Sequence, residues 1–486
     1  MKLKTLTTAV LLSLPTAGAF AAALDRSGQS ISAFLQPDNY FEAGISILDP
    51  TVEGVESGNS VTKRPISDMA DDYYFPSAAL KLQIHDKVSF GLLYDQPFGA
   101  SAAYSGDNVF VSNPGTDTVL PASSINNLVQ KRIQDHLATD LGKQQLAGLI
   151  GSGLSQADAI SKISQAIVAS PAVQGLQAGL AAANTYLGEG NTNVEVDTQN
   201  LSLIFGYQPT ENFNIYGGGV YQTVKGHVSL RGQAYSLFNG YDAGIEETGG
   251  TGWLAGAAFQ IPDIALKVSA TYRSEIDHDV DATESLSVMN FPGLTAVLGG
   301  IGVTPAQLQS LTQPGKTKIT TPQSVNLDFQ TGIMANTVAF ANVRWVDWSN
   351  FSIRPYQFGK VSEAIGNLVG RPNGFNLVEY SDDQISATVG VGRKFNDLWA
   401  GNVSVGYDSG AGNPISTLGP TEGFWNVGLG LQYSPTPATF IAGGVKYFML
   451  GDADAQTGAQ SGGNQYVASF EDNDAWAYGL KMGYKF

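Results

Sequence analysis

The chain has 486 residues, a net charge of −17, no cysteine and 14% charged residues, set against 10% aromatic residues and 57 glycines. The missing thiols exclude disulfides and thiolate metal sites, the four His are far apart, and an acidic balance without a basic stripe disfavours nucleic-acid binding. The profile is too apolar and Gly-rich for a solvated acidic protein, while helical membrane spans would need runs of about 18 apolar residues that do not occur beyond residue 23.

Taken in chain order, Lys2 and Lys4 precede an apolar run and then Ala19, Ala21 and Ala23, the layout of a secretory signal peptide over 1–21. Residues 22–38 are expected to form an amino-terminal hatch, and 39–486 an all-β transmembrane antiparallel barrel. Fourteen strands are predicted, at 39–48, 73–85, 87–98, 192–207, 212–229, 251–261, 263–277, 317–333, 336–353, 380–395, 398–408, 423–433, 438–449 and 474–486. Every second joint is tight, as at His85-Asp86, Pro262 and Asn396-Asp397, and the others are mostly longer. Such alternation fits short periplasmic turns and long external loops.

Two long connections carry their own pattern. An external helical insertion is expected over 113–191, where Ile125, Leu128, Val129, Ile133, Leu137 and Leu141 keep helical spacing and Ser155-x-x-Asp158 forms a capping signal. A second external loop spans 278–316, with Thr304-Pro305 as a helix start and Phe291, Leu294, Val297 and Leu298 as an apolar face that could capture a ligand.

The last strand is the clearest. Trp476, Tyr478, Leu480, Met482, Tyr484 and Phe486 alternate with Ala477, Gly479, Lys481, Gly483 and Lys485, which predicts a lipid face and a lumen face. A soluble edge strand with six large apolar side chains on one face would aggregate. Parity also assigns interior polar groups. In the fifth strand Val220 and Val224 are expected toward lipid, which turns Tyr221, Thr223, Lys225 and His227 inward. In the seventh, Lys267, Thr271, Arg273 and Glu275 face the lumen, and in the ninth Asn342 and Arg344 do. Lys225, Arg273 and Arg344 are candidate carboxylate ligands, or they pair with Glu275 and other lumen acids.

Ala43-Gly44 with Asp49-Pro50, the run from Ile84 to Gly91, Thr271-Tyr272-Arg273-Ser274-Glu275, Thr321-Pro322-Gln323-Ser324-Val325, Trp348-Ser349-Asn350-Phe351, Asp408-Ser409-Gly410 and Asn413-Pro414 stand in one order along the chain. Together with the terminal strand they resemble the FadL-type long-chain fatty acid transporters of outer membranes. The resemblance implies a plugged barrel, external apolar capture, and sideways release through a kinked strand wall. It also implies a carboxylate-binding Arg in the fifth strand, which falls on Thr223 with Lys225 as substitute, and a Lys before the tenth, which falls on Arg371. The hatch departs from the family, being only some sixteen residues long and lacking an Asn-Pro-Ala signature.

The expected function is passive uptake of long-chain fatty acids or similar hydrophobic molecules, bound by Thr223, Lys225, His227, Arg273, Arg344, Arg371, Phe291, Leu294 and Leu298. No cofactor is expected. Expected partners are the hydrophobic ligand, outer-membrane lipid and lipopolysaccharide, and the barrel-assembly machinery acting on the terminal strand, for a monomeric protein. Alternatives are an aromatic or alkane channel, a polar-solute porin, and a surface lipase; the last lacks a Gly-x-Ser-x-Gly elbow.

Overall fold

A computed structural model describes residues 24–113, 122–300, 303–311, 313, 315–366 and 369–486. The expected signal peptide and its cleavage site lie outside the described residues. Fourteen strands form the barrel: β1 (Tyr40–Thr51), β2 (Tyr73–His85), β3 (Val88–Asp95), β4 (Asn193–Thr210), β5 (Phe213–Leu230), β6 (Tyr241–Ile261) and β7 (Leu266–Arg273) in the first half. The second half comprises β8 (Ser324–Met334), β9 (Thr337–Val346), β10 (Gln384–Lys394), β11 (Trp399–Asp408), β12 (Phe424–Thr436), β13 (Thr439–Leu450) and β14 (Asp474–Lys485). Neighbours in the chain pair antiparallel, and β14 closes onto β1 from Tyr40–Lys485 to Thr51–Asp474. Closure pairs the first strand with the last, so neither terminal strand keeps a free edge.

Alternation drives the wall. On β12 the side chains of Trp425, Val427, Leu429, Leu431 and Tyr433 are exposed on the outside, while Asn426 and Gln432 are buried inside. β14 repeats the pattern from Trp476 to Phe486. Two aromatic girdles bound this apolar band, as transmembrane barrels require. Trp253–Tyr272, Tyr407–Trp425 and Tyr447–Trp476 mark the loop end; Phe213–Phe259, Trp399–Tyr433 and Tyr484–Phe486 mark the turn end.

Several boundaries differ from the sequence expectation. β6 begins at Tyr241, ten residues before the predicted 251, because β5 and β6 keep pairing up to Leu230–Tyr241 far above the outer girdle. Strands predicted through 277 and from 317 stop at the barrel rim. Ile276–Val280 and Thr317–Thr321 instead make a separate hairpin that folds inward, where Ile276 and His278 fill the space over Gly250 and Gly252. β9 ends at Val346 rather than 353.

The predicted third strand is broken. β3 stops at Asp95, residues 96–98 leave the ladder, and a short strand, Gly99–Ala103, resumes pairing with β4. On its other side, pairing of β3 with β2 ends at Ala78–Tyr94, and only the isolated bridge Ala70–Ala102 reconnects the two edges.

External loops build a cap. The helical insertion contains α1 (Ala122–Ala138), α2 (Asp140–Gly151), α3 (Gln156–Val168) and α4 (Pro171–Ala183). Ser155 caps α3, its Oγ accepting from the Asp158 N–H at 3.2 Å and donating to the Asp158 carboxylate at 2.6 Å. In the second loop lie α5 (Leu294–Gly300) and α6 (Pro305–Ser310), the latter opened by a Thr304–Gln307 capping box. α7 (Tyr356–Ile365) was not anticipated; it tucks under the cap with Phe358 against Phe238 and Tyr241. A five-stranded sheet from the β1–β2, β11–β12 and β13–β14 connections completes the lid.

Candidate functional site

Residues 24–39 thread the lumen as a short hatch. Phe34 is its anchor, fully buried and edge-on to Tyr216 at 5.7 Å, with Ile31 and Leu35 in the same apolar cluster. Gly91 and Gly206 supply the room: a Cβ at either position would run into the Phe34 ring. Wall cations hold the hatch backbone. The Lys267 ammonium donates to Leu35 O at 2.8 Å, Lys81 to Asp38 O at 2.7 Å, and Arg273 to Gln29 O at 3.1 Å. Arg344 donates Nε–H to Asp25 Oδ2 at 2.6 Å, and its other nitrogens reach Asn326, Ser324 and Gln29.

The hatch separates two cavities. The outer one spans about 1010 Å³, open solvent at its mouth included, walled mainly by apolar side chains such as Leu48, Met69, Val196, Ile245, Val378 and Leu418, and floored by Leu24, Asp25 and Arg26. The inner one, also about 1010 Å³, is the polar lumen between hatch and wall, lined by Asp95, Arg273, Asp328, Asn342, Glu42 and Lys481. Arg26 and Phe75 line both.

Arg26 sits where the wall is broken. Its backbone N–H donates to Pro97 O at 2.6 Å, Gly99 N–H donates to Leu24 O at 2.8 Å, and Asp25 bridges Phe98, so the hatch mends part of the missing ladder. The guanidinium lies 4.2 Å from the Tyr73 ring centroid and 5.6 Å from that of Phe75. It contacts Asp197 Oδ1 at 3.4 Å. Burial lowers its pKa from the ordinary value, with Tyr73 and Asp197 acting the other way.

The sequence candidates separate. Arg273 and Arg344 face the lumen as expected, and what they hold is the hatch. Glu275 is exposed beyond the end of β7 and pairs with neither. The β5 parity is reversed: Val220, Gln222 and Val224 are buried inward, while Tyr221, Thr223, Lys225 and His227 turn outward. Lys225 is half exposed and lies 3.7 Å from Asp197; His227 lies 3.7 Å from Glu195, although its segment borders the outer cavity. Phe213, Ile215 and Tyr221 are the outward residues of this strand within the apolar band, so Val220 packs on the hatch side; above Tyr221 the strand leaves the band, its outer face is solvated, and Val224 and Val228 pack against the cap. Arg371 lies in the β9–β10 connection and donates to Gln460 O at 3.4 Å, remote from Lys225 in the fold. Phe291 leans on Tyr186 at 5.3 Å, and Leu294 and Leu298 are buried in the cap core; none of the three lines the outer cavity.

Missed by sequence reasoning were Arg26, Tyr73, Phe75 and Asp197. One signal existed: Asp25 and Arg26 are the sole charged residues in the segment 22–37.

A closed fourteen-strand barrel with a lumenal hatch and a broken third strand is an outer-membrane transport architecture, and the profile of the family described as Outer membrane protein transport protein (OMPP1/FadL/TodX) matches residues 21–486. The chain belongs to this family. It is therefore an outer-membrane transporter of hydrophobic molecules. Among solved structures it resembles a Pseudomonas aeruginosa FadL homologue, with 13% identity, a TM-score of 0.59, and coverage of 98% of this chain and 99% of that one. It also resembles the Pseudomonas putida toluene transporter TodX (12% identity, TM-score 0.52, coverage 96% and 95%) and the Ralstonia pickettii toluene transporter TbuX (10% identity, TM-score 0.50, coverage 97% and 96%). A comparison with curated protein sequences returns no significant match.

Proposed function

We propose that this FadL/TodX-family member takes up long-chain fatty acids or similar long apolar molecules passively, through capture in the external cap, passage past the hatch, and lateral release into the membrane. The observation that carries the reading is the interrupted seam between β2 and β3. From Ala78–Tyr94 to Ala70–Ala102 the wall has no ladder pairing, beside a cavity lined by Phe75, Pro76, Ser77 and Gln96. Unpaired strand edges in a bilayer cost several kcal/mol per group, so a barrel tolerates them only where protein or a passage covers them. Here the cover is the hatch at Leu24 to Ser27.

A hydrocarbon channel is the second reading, favoured by the likeness to two toluene transporters. An amphipathic chain is supported by the Arg26 guanidinium beside the apolar outer cavity, a charge that a neutral ring would not use. Competition binding to the purified protein separates them: labelled oleate should be displaced by unlabelled oleate and not by toluene. Displacement by toluene at equal or lower concentration would move the assignment to aromatic hydrocarbons.

A further inference from the structure

The outer cavity is apolar on its walls, and its floor carries Arg26 beside Asp25. Arg26 is 6% exposed, and its Nη2 is buried without a hydrogen-bond partner. A buried donor left unpaired forfeits its hydration without a replacement, more so when charged, so this state is not the one in which Arg26 is best satisfied. Its contact to Asp197 is long, at 3.4 Å, and Asp197 is also approached from the outer face by Lys225 at 3.7 Å. At Gly99 the backbone comes against the guanidinium where any side chain would overlap it.

The inward charges around Arg26 balance. Asp25 shares the floor and has one unpartnered oxygen, but its other oxygen takes the Arg344 Nε–H at 2.6 Å. Asp95 accepts from Ser27 Oγ at 2.5 Å near Arg273. Among the inward groups Arg26, Arg273 and Arg344 stand with Asp25, Asp95 and Asp197, while Lys225 meets Asp197 from the outer face, so an anion would draw on the unpartnered Arg26 Nη2 rather than on an excess of charge.

We propose that Arg26, a residue of the hatch rather than of the barrel wall, is the head-group site for an amphipathic monoanion whose tail lies in the outer cavity. The assignment rests on the uptake reading above and adds a polar end to the ligand. A carboxylate meets Nη2 and a neighbouring N–H in the paired geometry that guanidinium favours, and apolar walls such as Leu48, Met69 and Leu418 strengthen the bond by excluding water. The anion then competes with Asp197 and with the Tyr73 ring for the same side chain.

The test uses the full-length protein in detergent at neutral pH, with oleate and the neutral oleyl alcohol as ligands. Arg26→Met keeps the apolar stem and removes the charge, and Arg26→Lys keeps a charge without the fork. Arg26→Met should weaken oleate binding roughly 10- to 100-fold and leave oleyl alcohol within about 2-fold, with Arg26→Lys between wild type and Arg26→Met for oleate. Unchanged oleate affinity in Arg26→Met, or equal loss of both ligands, overturns the head-group assignment. If the wild-type protein binds neither ligand, the uptake reading itself falls; if it binds both and Arg26→Met loses neither, only the assignment falls.

Discussion

Phe34 occupies the space that a Cβ on Gly91 would need, so hatch and barrel wall are fitted to each other at one ring. Phe34→Ala should weaken hatch docking by about 3–5 kcal/mol, and Gly91→Ala by about 1–3 kcal/mol through overpacking. Both should raise single-channel conductance in planar bilayers and speed proteolysis of residues 24–39. Conductance like that of wild type in both variants would show that the hatch is held by its polar contacts alone.

Those polar contacts centre on Arg344 and Asp25, which are 319 residues apart in sequence and joined at 2.6 Å. Removing one partner of a buried pair leaves an uncompensated charge, at a cost of about 3–5 kcal/mol. Arg344→Met should therefore speed amide exchange across residues 24–36 more than Asp25→Asn combined with Arg344→Met does. Additive effects in the double-mutant cycle would mean that the pair is not coupled.

Lys225 is the residue that the family resemblance favours, yet it stands on the outer face of β5. Lys225→Met should change oleate affinity by no more than about 5-fold, the effect of a half-exposed ion pair worth 0–1 kcal/mol, and added salt should erase the difference. A salt-independent loss of 10-fold or more would return the carboxylate site to β5.

The cap carries a titration of its own. Burial pushes the Glu422 carboxyl up to about 7, opposed by hydrogen bonds from the Gly412 N–H at 2.9 Å and the Ala411 N–H at 3.3 Å. A carboxyl whose folded pKa is raised stabilises the fold below its unfolded value, and that contribution is lost as pH rises through the folded one. Once intrinsic base catalysis is removed, exchange protection in residues 411–422 should fall between pH 5 and 8, and Glu422→Gln should flatten the profile. A protection that rises with pH in the wild type would contradict this.

How much of this was written in the sequence depends on distance. On β14 the choice between lipid and lumen is local: each side chain from Trp476 to Phe486 alternates because the strand does, and the apolar half has only one solvent to face. The same rule read β7 and β9 correctly at Arg273 and Arg344. It failed on β5, where Phe213, Ile215 and Tyr221 set the outward parity, Val220 packs on the hatch side, and Val224 faces an interior that above the girdle is filled by protein. Sequence alone does not say how far a strand rises above the membrane. Nor could it say that the hatch would mend the broken β3, or that Arg26 would meet Asp197, 171 residues away. Periodicity reports a neighbour two residues along the strand; the hatch contacts join segments whose proximity exists only once fourteen strands have closed around sixteen residues, and that closure decided where Arg26 stands.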